Sequence, residues 1–160
     1  MGEVYQDGEL RQAKDDLKAL DCWVQAVELG SAAACVNIGN SYDEGNGVAV
    51  DKERAALFDR VGALRGDIVA RHNISRAEYH SGHHEIAIRH LKIAVEFGYQ
   101  LSLDALKKIY NTDMPGKEFV SKECLDNLYR VCHDAQEEVK SEEREKHSGI
   151  KRYRITIPVA

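Results

Sequence analysis

The stretch Gly39–Phe58, GNSYDEGNGVAVDKERAALF, decides how this chain is read. A glycine-rich turn, Gly45-Asn46-Gly47, separates two segments patterned as helices, which is the setting of a phosphate-cradling loop. The fingerprint of such a loop is incomplete. Val50 stands where a third glycine is needed, no Gly-Lys-Ser/Thr follows, and no strand-like run precedes it. The turn therefore reads as a helix connection, and its recurrence along the chain becomes the test.

It does recur. Ala19, Ala55 and Ala87 serve as anchors, 36 and 32 residues apart. Eleven residues after each comes Gly30, Gly66 or Gly98, and fifteen after comes the small residue Ala34, Ala70 or Ser102. Ala26-Val27, Gly62-Ala63 and Ala94-Val95 occupy the steps between. Three copies in register define a repeat, and a period near 35 residues belongs to solenoid architectures.

Each unit has the physics of a helix pair. Leu17, Leu20, Val24 and Val27 recur at three- and four-residue steps, the apolar stripe of an amphipathic helix. DKERAALFDRVGALRG and EIAIRHLKIAVEFG repeat the stripe, and each closes on a glycine able to adopt the left-handed conformation. Asp15 and Asp51, four residues before their anchors, are placed as N-caps. In the third unit Gly82 takes that place, with Glu85 in the capping-box position. The other helix of each pair is expected in AAACVNIGNSYDEG, VARHNISRAEYHSG and LSLDALKKIYN. Gly2-x-x-Tyr5 is the remnant of one in a first pair that is otherwise incomplete.

These residues resemble the Sel-one-like repeat, a relative of the tetratricopeptide repeat. The second unit carries its pattern as Ala34, Ile38-Gly39, Tyr42, Gly45-x-Gly47-Val48, Asp51, Arg54-Ala55, Gly62-Ala63, Gly66 and Ala70. The resemblance spans roughly residues 1–111 and implies an all-α, right-handed superhelical solenoid of antiparallel helix pairs. The expected division is a partial first repeat at 1–31, repeats at 32–68 and 69–100, a degenerate fourth repeat with a capping helix at 101–147, and a tail at 148–160. For the capping helix, Leu125, Leu128, Cys132, Ala135 and Val139 form the face that would close the stack. The tail alternates Tyr153, Ile155, Ile157 and Val159 with polar residues, a strand-like pattern without a sheet to join.

The bulk chemistry excludes several function classes. With 22 basic and 27 acidic residues well mixed, no broad phosphate-binding surface is expected, hence no nucleic-acid partner. No apolar run spans a bilayer, so no membrane partner and a cytoplasmic location are expected. Cys22, Cys35, Cys124 and Cys132 form no C-x-x-C pair and read as reduced, helix-borne residues. No nucleophile and base stand together, and no cofactor is implied.

Two functional readings remain, beside that of a purely structural fragment whose partner-binding repeats lie outside this chain. In the first, the chain is a non-catalytic scaffold or adaptor whose concave face holds an extended peptide or protein partner. The tetratricopeptide resemblance implies three rows on that face: Val36, His72 and Asp104; Asn40, Arg76 and Lys108, begun by Glu3; and Gln6, Asp43 and Tyr79. Arg76, Lys108 and His72 together would favour an acidic or carboxyl-terminal group. The alternative is a metal-dependent or hydrolytic activity centred on the histidine-rich turn 80–90, with His80, His83, His84 and His90.

Overall fold

In the computed structural model, residues 2–112 and 114–148 are described, with side chains at 15–112, 114–144 and 146. The strand-like tail lies outside the described residues from 149 onward, and so do the side chains of Glu3 and Gln6. Among the described residues there are seven α-helices and no strand: α1 (Gly2–Glu28), α2 (Ala32–Glu44), α3 (Lys52–Leu64), α4 (Ile68–His80), α5 (His84–Glu96), α6 (Gln100–Asn111) and α7 (Lys122–Ser148). Each helix from α1 to α6 packs on the next in the chain, α2 also touches α4, and α7 lies against both α5 and α6. This is the order of a solenoid, in which contacts join neighbours in sequence.

Local chemistry sets the boundaries. Ser31 Oγ, Asp51 Oδ1 and Asp67 Oδ1 cap α2, α3 and α4, accepting from the N–H groups of Ala34, Arg54 and Ala70 at 3.2, 2.9 and 2.9 Å. The cap expected for α5 is not built. His83 occupies the N-cap without a side-chain bond, and Glu85 reaches forward to Arg89 at 3.3 Å.

The glycine turn is indeed a connection. Gly45 closes α2 in the left-handed conformation, and the Gly45 and Asn46 N–H groups both donate to Ser41 O, at 2.8 and 3.0 Å. Those donors are spent on the helix end and cannot cradle an anion. Gly47, at φ 74°, lies so close to α1 that an added Cβ would sit 3.0 Å from Asp16 Cβ and 3.2 Å from Leu17 N. Gly66 has a similar φ of 91° but open space around it. We expect Gly47→Ala to cost about 2–3 kcal/mol and Gly66→Ala about 1 kcal/mol in urea unfolding, since only the first adds a steric clash to the left-handed strain.

The first repeat departs from expectation. α1 is one continuous helix, and Asp15 is an interior, exposed residue 3.7 Å from Lys18, not an N-cap. The run Glu9-Leu-Arg-Gln-Ala-Lys14 consists of strong helix formers without a breaker, so nothing interrupts the helix before Asp15.

The core is heavier toward the C-terminal end. Ile88, Leu91 and Val95 of α5 meet Leu103, Leu106 and Ile109 of α6, and Val120 joins them with Leu125, Leu128 and Cys132 of α7. A smaller cluster of Val36, Ala63, Ala70 and Ile74 joins α2, α3 and α4. Ser121 Oγ accepts from Cys124 N–H at 3.1 Å and starts α7, whose apolar face then closes the stack. Its expected face ends early: Ala135 is half-buried and Val139 is exposed. With 27 residues against 13 and 12, α7 outruns α5 and α6 and leaves its last turns in solvent. Of the cysteines, Cys35 and Cys132 are buried and none is bridged, whereas Cys22 is exposed.

Candidate functional site

The first helices of successive units are tied together along one face. Asn73 Nδ2 of α4 donates to Asn40 Oδ1 of α2 at 3.2 Å, and Arg76 pairs with Asp43 at 2.9 Å. One unit on, His72 Nδ1 lies 2.9 Å from Ser102 Oγ of α6. Beside this line opens a groove of about 640 Å³ between the end of α2, the outer side of α3 and the second half of α4. Its lining includes Asp43, Lys52, Asp59, Arg60, Asn73, Arg76, Ala77 and Glu78.

The groove's cations are already engaged. Lys52 and Arg76 both contact Asp43, at 2.7 and 2.9 Å, and Arg60 lies 3.6 Å from Glu78. The Lys52 hydrogen bond, aided by Arg76, holds the Asp43 carboxyl below the usual carboxylate range. Asp59 differs from all of these. It is 6% exposed, and Asn73 Nδ2 donates to its Oδ1 at 3.1 Å. Among the described residues no Lys, Arg or His comes within ion-pair distance of it. Burial pushes its pKa up from 3.8 to about 6.

The structure places the sequence-derived candidates unequally. Asn40, Asp43 and Arg76 come together with Asn73 on the linked face. Asp104 and Lys108 are exposed further along α6, where Asp104 accepts from Gln100 at 2.9 Å. His72 is half-buried against the edge of Tyr99, and burial with nearby Arg76 lowers its pKa. Tyr79 donates from its hydroxyl to Pro115 O at 3.0 Å. Val36 must be corrected: it is buried in the small core cluster, because α3 and α4 cover that side of α2. Within the expected cationic trio, Arg76 has a carboxylate partner in Asp43, and burial disfavours the charged form of His72.

The histidine turn has its own internal contacts. His83 Nδ1 lies 2.8 Å from Glu78 Oε2, and the His84 ring is 4.7 Å from that of Tyr79. Among the described residues no three His, Cys, Asp or Glu side chains converge as a metal set.

Reading motifs missed Asp59, yet the repeat register contains its signal. Four residues after each anchor alanine come Trp23, Asp59 and Leu91. Two units place a large apolar side chain there, and one places a carboxylate. Gly39 makes the room, since a Cβ on it would lie 3.1 Å from Asp59 Oδ1.

Helix pairs in this order, closed by an amphipathic helix, define an all-α solenoid. Among solved structures, the chain is similar to a Sel1 repeat protein from Oxalobacter formigenes, with 27% identity and a TM-score of 0.61. The likeness covers 74% of this chain and 49% of that one, so the chain spans about half the length of its relative. No family model and no curated protein matches the sequence. No described helix is long and apolar enough to cross a membrane.

Proposed function

We propose that the chain is a protein-interaction scaffold that holds an extended segment of a partner in the groove between α2, α3 and α4 and along the neighbouring face of α4 and α6. The observation that carries this reading is the polar groove beside α4, bordered by hydrogen bonds that join one repeat to the next. Asp43 and Arg76 line that groove, Asn40 borders it through Asn73, and Tyr79, His72, Asp104 and Lys108 continue the path along α4 and α6. Fixed polar groups of this kind suit main-chain and side-chain hydrogen bonds to an extended peptide. The convergent donors and acceptors are positioned by helices, so little order has to be gained on binding.

A steric plug tests this directly. Ala77 lines the groove and is exposed, so Ala77→Trp fills the path without entering the core. Partners captured by the intact chain should be lost on Ala77→Trp, with stability changed by less than about 0.5 kcal/mol. Glu142→Trp, on the exposed end of α7, should retain them. Partners that survive the plug would remove the groove from the binding surface.

A further inference from the structure

Asp59 is the one feature of the groove that neither the fold nor its neighbours account for. The corresponding position is Trp23 in the first unit and Leu91 in the third, so an apolar side chain satisfies the architecture there. A carboxylate in the same place brings an ionised group out of water with a single hydrogen bond, from Asn73, to hold it. The second oxygen receives no hydrogen bond from the described residues. Nearby charges do not supply a counter-ion. Arg76 on α4 favours the ionised form of Asp59 from a distance but pairs with Asp43 at the end of α2, and Asp43 and Asp67 both oppose ionisation. The groove lining therefore holds a largely buried carboxylate without an ion-pair partner, while every lysine and arginine of the lining is already paired with another carboxylate.

Resting on the scaffold reading above, we propose that Asp59 is the groove's anchor for a basic side chain, a lysine ammonium or arginine guanidinium projecting from the bound segment. An incoming cation would supply a direct counter-charge to a largely buried carboxylate, where a charge-assisted bond is stronger than at an exposed one. Asn73, bridging Asn40 and Asp59, engages one carboxylate oxygen and leaves the other for the incoming cation. Such a pair also sets register along the segment, because a basic residue one position away would reach the exposed rim and not the floor. On this proposal the recognised group is a cation, in place of the carboxylate that Arg76, Lys108 and His72 suggest by themselves.

The test is display of capped random heptapeptides against the full chain at pH 7.5. Peptides that compete with one another and are lost on Ala77→Trp are taken as groove ligands. These should carry Lys or Arg at one fixed position. Replacing it by norleucine or citrulline should weaken binding tenfold or more, as should Asp59→Asn. Lowering the pH to 5 should weaken binding to the unmodified chain and leave that of Asp59→Asn unchanged. Asp59→Leu, which copies the residue at Leu91, serves as a second variant with the fold's own side chain. Groove ligands without a required basic residue, or indifferent to both variants, would overturn the anchor and leave the scaffold reading in place. A display that yields no ligand sensitive to Ala77→Trp would overturn both.

Discussion

Ile88→Ala should cost about 4 kcal/mol in urea unfolding, against about 2 kcal/mol for Ile74→Ala. The chemistry removed is identical, and both side chains are buried, at 1% and 6% exposure. Their surroundings differ. Ile88 sits among Leu91, Leu106, Val120 and other large side chains, and its Cδ1 would lie 2.8 Å from a Cβ on Gly116. Ile74 shares its cluster with Ala63, Ala70 and Val36. Truncation within the larger cluster forfeits more dispersion contacts and leaves a cavity that three rigidly packed helices cannot close. For a chain of this size the melting temperature should fall by about 8–16 °C in the first case and half that in the second. Equal losses would mean that the two halves of the solenoid share one cooperative core, contrary to the division between these clusters.

That asymmetry shows what a repeat sequence does and does not encode. Gly45, Gly47 and Asp51 are legible because each acts within a few residues of itself: a left-handed helix end, a close approach, a cap. The anchors Ala55 and Ala87 are legible for a related reason, since both are small residues at a fixed repeat position and both are buried. Val36 is not, although it occupies the same repeat position as His72. Its burial depends on how α3 and α4 close over α2. Val139 continues the apolar stripe of α7, but the lengths of α5 and α6 decide where covering stops. Asp15 fails as a cap because helix formers on its N-terminal side extend α1 through it.

The groove is partly legible for the same reasons. Repeat register places Asn40, Asp43 and Arg76 on a common face, yet a set of positions does not show which charges neutralise each other. Asp43 and Arg76 are 33 residues apart, and their ion pair changes the chemistry the face presents. Asp59 requires the opposite comparison. Its signal is a mismatch between units, a polar residue where Trp23 and Leu91 are apolar, and mismatches carry function where matches carry fold.

Asp59→Asn should make the protein more stable near neutral pH while removing the anchor from its groove. The folded-state pKa of about 6 lies above the ordinary 3.8, so between these values the folded chain holds a proton that the unfolded chain has lost. Stability from this group therefore falls as pH rises through that window, and above about 6 the full cost of an ionised, buried carboxylate is present. A shift of this size corresponds to at most about 3 kcal/mol, and water in the open groove reduces it to about 1–2 kcal/mol. Asparagine keeps the shape and still accepts from Asn73, so the variant should melt about 3–6 °C higher than the unmodified chain at pH 7.5. The difference should shrink as pH is lowered through 6 and be gone near 4, as the unmodified chain takes up its proton. A variant less stable at pH 7.5 would show that the ionised carboxylate is held by the fold itself, and Asp59 would then lose its claim on an outside cation.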